Sequence, residues 1–105
     1  MTVIYRRPAD PEAFDRHYRE VHVPLAWKLP GLRSYVVSRG DVVSPTGDDV
    51  YLIGTLHFDS LDAIRAAFAT PEGQACAADR RVLAPNDGDA MMFLYDTYET
   101  DNAAG

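Results

Sequence analysis

The sequence predicts an α+β fold of order β-α-β-β-α-β, the ferredoxin-like arrangement of a four-stranded antiparallel sheet with helices on one face. Three observations predict it. Two short runs rich in β-branched and aromatic residues, 2–6 and 32–39, flank a segment of helical period. A turn-rich stretch at 40–49 joins the second run to a third, 50–58. Two capped helical segments then separate that run from a fourth at 90–98.

Residues 2–6 read as a strand ended by Pro8. Asp10 is placed to cap the next helix, with Pro11 at the first helical position, where a missing N–H costs nothing. Phe14, Tyr18, Val21 and Leu25 fall on one face at a 3.6-residue period. Pro24 lacks a donor and meets the carbonyl of Glu20, so a kink or an early end is expected there, and Pro30-Gly31 closes the segment.

Residues 32–39 form the second strand, and 40–49, with Pro45 and Gly47, the hairpin loop. In 50–58, Val50, Leu52, Gly54, Leu56 and Phe58 share one face, and Tyr51, Ile53, Thr55 and His57 the other. Asp59 or Ser60 caps a helix carrying Leu61, Ile64, Ala67 and Phe68 at helical spacing. Thr70-Pro71 starts another helix, running to about Leu83, and 85–88 turns the chain into the last strand. One domain spans 1–99, and 100–105 is expected to be a flexible tail.

Helices on one side leave the other sheet face bare, yet the third and fourth strands carry large apolar residues on both faces. Such a face calls for a partner, and a homodimer packed sheet on sheet is the simplest one.

A chain of 105 residues is long enough to bury a core without staples. Its formal net charge of -6 argues against binding nucleic-acid phosphates or an anionic membrane. The single cysteine, Cys76, excludes an intrachain disulfide and a Cys-rich zinc site. No apolar run is long enough to span a bilayer and the N-terminus lacks a signal-peptide layout, so the cytoplasm is the expected location. No Gly-rich nucleotide motif and no nucleophile elbow occurs. His17 and His22 are five residues apart, about 140° around an α-helix, so no metal site is expected from them.

His22 remains as the candidate for chemistry. Its ordinary pKa suits it to proton transfer, and it borders the apolar stripe, where it could face a cavity. The alternative is a boundary histidine bonded to a backbone carbonyl freed by Pro24. Tyr35, on the second strand, is either a donor to an oxyanion formed beside His22 or an ordinary strand aromatic. Phe14, Tyr18, Leu25 and Trp27 are candidate walls of an apolar substrate cavity, or simply core. The arginines, including Arg80 and Arg81, read as solvated faces.

The runs Asp10-Pro11-Glu12-Ala13-Phe14, His22-Val23-Pro24-Leu25 and Leu29-Pro30-Gly31-Leu32, with Tyr18 and Tyr35, resemble the EthD family, and Phe58-Asp59-Ser60-Leu61-Asp62-Ala63 and Thr70-Pro71-Glu72-Gly73-Gln74 resemble its second half. The resemblance covers about residues 2–98. It implies a dimeric α/β barrel, in which two ferredoxin-like subunits pair their sheets. The family takes its name from a gene linked to ethyl tert-butyl ether degradation beside a cytochrome P450 system. Methylmuconolactone methylisomerase is a similar small enzyme without a cofactor, and its catalytic His and Tyr match His22 and Tyr35 by position. Polyketide-modifying dehydratases, decarboxylases and cyclases look like this fold too. Haem-handling relatives place an axial His on the second helical layer, whereas residues 60–85 contain none.

The expected function is cofactor-independent proton transfer, of isomerase, dehydratase or cyclase type, on a small apolar carbonyl, lactone or polyketide-like substrate. Alternatives are a non-catalytic small-molecule binder serving an ether-degrading P450 system, a cofactor-free monooxygenase, and a structural dimer with no ligand.

Overall fold

The computed structural model describes residues 1–102. Strand β1 (Thr2–Tyr5) leads into α1 (Pro11–His17), a π-turn (Tyr18–His22) and α2 (Val23–Ala26). Strands β2 (Ser34–Val37) and β3 (Leu52–His57) follow, then α3 (Leu61–Phe68), α4 (Pro71–Leu83) and β4 (Ala90–Phe93). The sheet runs β2-β3-β1-β4 with every neighbouring pair antiparallel, which is the ferredoxin-like order.

The helix starts follow the expected chemistry. The side chains of Asp10, Ser60 and Thr70 accept from the backbone N–H of Ala13, Ala63 and Gly73, three residues on in each case. Pro11 and Pro71 occupy first turns, where no intrahelical donor is needed. Gly31 takes φ of +82° after Pro30, a left-handed turn open to glycine at no steric cost.

The strands are shorter than the apolar runs that predicted them. Strand β2 covers 34–37 rather than 32–39, although the Arg33 and Ser38 N–H groups still donate to His57 and Ile53. Strand β3 covers 52–57 rather than 50–58. Strand β4 stops at Phe93, which pairs with Thr2, the first residue of β1. Residues 94–98 continue without a ladder. In the expected tail, 100–102 are exposed and irregular, and 103–105 lie outside the described residues.

The helix-facing side of the sheet is set by β3, where Gly54, Leu56 and then Phe58 are buried, as the alternation predicted. Val3 and Tyr5 of β1 join Ile64 and Ala67 of α3 and Phe14 of α1 in the core. Each large apolar side chain buried there contributes about 1.5–3 kcal/mol. The opposite face carries Val36, 63 % exposed, with Met91 and Phe93 also exposed, and the half-buried Ile4 and Ile53.

The first helical layer departs from the expected 3.6-residue stripe. Its buried residues are Phe14, Tyr18, His22 and Ala26, spaced by four. On a regular α-helix that spacing would drift by about 40° per step. The π-turn removes the drift: Val23 N–H donates to the Tyr18 carbonyl, five residues back, widening the turn by one residue. Val21, expected on the apolar face, is consequently exposed, and Leu25 is half-buried. His22, expected at the edge of the stripe, lies in its middle at 5 % exposure. Of the kink or early end expected at Pro24, the helical path shows no end: Pro24 falls in the first turn of α2, directly after the π-turn.

Candidate functional site

Tyr18 and His22, one turn apart on the first helical layer, point at the sheet beside Tyr35 of β2. The phenol oxygens of Tyr18 and Tyr35 are hydrogen-bonded to each other. Gly54 of β3 makes room for them, since a Cβ there would lie 2.8 Å from the Tyr18 hydroxyl. The Tyr18 ring also lies 5.3 Å from the His22 ring, centroid to centroid. These groups line a cavity of about 320 Å³ between the helices and the sheet, with Leu56, Phe68, Met92 and Leu94 among its apolar walls.

Three of the four proposed wall residues are elsewhere. Phe14 stacks behind Tyr18 at 5.9 Å and is covered by Tyr5 and Tyr51, so it supports the wall without forming it. Trp27 is 50 % exposed, 6.4 Å from the Tyr35 ring on the outside of the cavity. Leu25 does not line the cavity either.

Helix α4 supplies what the sequence reading lacked. The Asp79 carboxylate, 10 % exposed, lies between two histidines. Oδ2 is 2.9 Å from His22 Nδ1, and Oδ1 is 2.7 Å from His17 Nε2. The π-turn makes this possible, because five residues across it bring both rings to one side, where an α-helix would separate them. The His22 ring is bonded to a carboxylate, not to a backbone carbonyl freed by Pro24. A carboxylate oxygen accepts, so Nδ1 carries the proton and Nε2 holds the free lone pair. Asp79 is not part of the cavity wall, whereas His22 is, so the ring edge left for the cavity is the one bearing Nε2.

Burial holds the His22 pKa below its ordinary value, against the hydrogen bond and charge of Asp79, which pull it upward. His22 is therefore neutral at pH 7. Burial raises the phenols of Tyr18 and Tyr35 well above the usual tyrosine range, so both remain protonated donors. The Cys76 thiol is pushed up to about 11, first by burial and then by the charge of Asp79, which leaves it a neutral wall group rather than a thiolate.

Arg80, expected on a solvated face, is half-buried and lines the cavity, and its Nε is enclosed without a hydrogen-bond partner among the described residues. Among the described residues, no three His, Cys, Asp or Glu side chains are placed to hold a metal ion. A larger hollow of about 810 Å³ lies against the 38–51 loop, lined by Arg7, Asp15, Arg19 and exposed loop residues, and brings none of the His22 group together.

This arrangement sits on a scaffold shared with known proteins. The EthD domain model matches residues 6–86. The chain belongs to the EthD family. It is 38 % identical over 93 residues to an uncharacterized 11.0 kDa protein in the thcB-thcC intergenic region of Rhodococcus erythropolis, covering 89 % of each chain. The crystal structure of an EthD family protein from Bacillus halodurans superposes with a TM-score of 0.81 at 33 % identity, covering 92 % of this chain and 95 % of that one. A dimeric ferredoxin-like protein of unknown function from Thermobifida fusca shares the fold, with a TM-score of 0.65 at 18 % identity over 91 % of this chain and 87 % of that one. Among the described residues of this EthD protein, no helix is long and apolar enough to cross a membrane.

Proposed function

We propose that this EthD protein catalyses proton transfer on a small, largely apolar carbonyl compound, using its own side chains and no cofactor. The observation that carries this reading is the His22–Asp79 pair, which fixes the imidazole tautomer and leaves a basic nitrogen at an apolar cavity. A base shielded from water, beside protonated phenols, suits removal of a proton from carbon next to a carbonyl.

In this scheme the C–H bond breaks, Nε2 takes the proton, and the electron pair moves into the carbonyl to form an enolate. The Tyr35 hydroxyl, in hydrogen bond with Tyr18, donates to the enolate oxygen. The imidazolium, acidic because its site disfavours charge, returns the proton at another carbon for isomerisation, or to a departing hydroxyl for dehydration. Asp79 is a positioning residue: it holds the ring and supports the transient imidazolium.

The exposed apolar sheet face supports a homodimer, and the Thermobifida fusca protein of the same fold is dimeric. Val36, Met91 and Phe93 would lie at its centre.

The test of the catalytic reading uses 2-tetralone in D2O, with solvent exchange at its acidic C–H followed by NMR. The wild-type protein is expected to accelerate exchange, and His22→Ala to lose about a hundredfold or more of that rate. Equal rates for the two proteins would overturn the reading. If 2-tetralone binds to both and is exchanged by neither, the chain is a small-molecule binder instead.

A further inference from the structure

The cavity carries a cation that the proton-transfer scheme does not use. Arg80 follows Asp79 on α4, but Asp79 has both oxygens engaged, one by each histidine. Among the described residues no carboxylate lies within salt-bridge distance of Arg80, although the chain has 16 acidic residues against 10 Lys and Arg. Arg80 Nε has given up water without gaining an acceptor, the one buried side-chain nitrogen or oxygen in that position among the described residues. An enclosed polar group left unmade destabilises the fold, more so when it is charged. The side chains of Phe68, Met92 and Leu94, which line the same cavity, carry no acceptor, and Arg81 adds a second positive charge to the lining. The enclosed Nε cannot itself be reached from the cavity, but the terminal nitrogens of this unpaired guanidinium are not among the enclosed atoms, and an acceptor that arrives with the ligand can meet them.

We infer that Arg80 anchors an anionic oxygen of the ligand, so that the cavity takes a small apolar molecule bearing a carboxylate. The inference rests on the proposed use of this cavity and extends it to the substrate class. Binding the carboxylate at α4 would fix which carbon of the substrate lies near His22, since Arg80 and His22 share the wall. The planar fork of the guanidinium matches a carboxylate through two parallel N–H donors, which a lysine could not reproduce.

The test compares two probes of equal shape, 2-naphthoate and 2-naphthylmethanol, by fluorescence titration of the full chain. Wild type is expected to prefer naphthoate by about tenfold or more, and Arg80→Met to bind both equally. Equal binding by wild type, a preference that survives in Arg80→Met, or no naphthoate binding at millimolar concentration would each overturn the inference. If Arg80→Met binds neither probe, Arg80→Gln decides: both probes bound without preference supports the anchor, and a preference kept refutes it. The tetralone experiment stands apart, because its substrate is neutral. Loss of the naphthoate preference would leave His22 chemistry intact, and absent exchange would leave the anchor intact.

Discussion

The His22 imidazole and the Asp79 carboxylate, 57 residues apart in sequence, meet at 2.9 Å between the first helical layer and α4. The contact turns a buried histidine into an oriented one. It also sets α4 as the element that tunes the site, since the same carboxylate reaches His17.

Replacing Asp79 separates orientation from basicity. With Asp79→Asn the carboxylate no longer raises the His22 pKa, so that pKa falls further, and tetralone exchange drops by about tenfold or more as the tautomer is freed. Asp79→Ala leaves the buried His22 Nδ1 without a partner and is expected to cost about 1–3 kcal/mol in urea unfolding. His17, 31 % exposed, can turn to water.

The pH dependence of stability follows from the depressed His22 pKa. The folded state binds this proton less readily than the unfolded chain, whose value is near 6.5. The contribution is therefore complete above pH 6.5 and is lost as pH falls through the folded value. Urea midpoints between pH 7.5 and 5 should decline more for wild type than for His22→Gln, where this proton is absent.

Gly54 tests the phenol pair. Its substituted Cβ would press on the Tyr18 hydroxyl, the free end of a side chain, rather than on backbone. Gly54→Ala should fold with a loss of about 1–3 kcal/mol and show slower tetralone exchange, because Tyr18 and Tyr35 can no longer meet. Unchanged exchange would separate the phenol pair from the chemistry.

The apolar outer sheet face should hold two chains together. Sedimentation of wild type at micromolar concentration is expected to give a dimer, and Phe93→Asp a monomer with its helical circular dichroism retained, since Phe93 is half exposed in the single chain. A wild-type monomer would remove the dimer from the account.

Much of the fold was legible because it rests on local chemistry. Asp10, Ser60 and Thr70 cap, Pro11 and Pro71 start helices, and Leu52, Gly54, Leu56 and Phe58 alternate inward. The strand ends were not legible, because pairing stops where a neighbour stops, as Phe93 does opposite Thr2. The site was half legible. His22, Tyr18 and Tyr35 carry recognisable chemistry, but a 3.6-residue period misplaced His22 and Val21 once the π-turn intervened. The signal was the four-residue spacing of Phe14, Tyr18, His22 and Ala26. Asp79 and Arg80 left a fainter signal: they occupy the apolar stripe of α4 between the buried Cys76 and Leu83. Their partners lie on other elements, beyond the reach of periodicity.

The central claim is that Asp79 holds a neutral His22 with Nε2 free. Nitrogen-15 NMR of labelled imidazoles tests it directly. The account predicts a proton on Nδ1, an unprotonated Nε2 at pH 7, and a titration midpoint below 6.5 that moves lower still in Asp79→Asn. A proton on Nε2, or an imidazolium at pH 7, would contradict it.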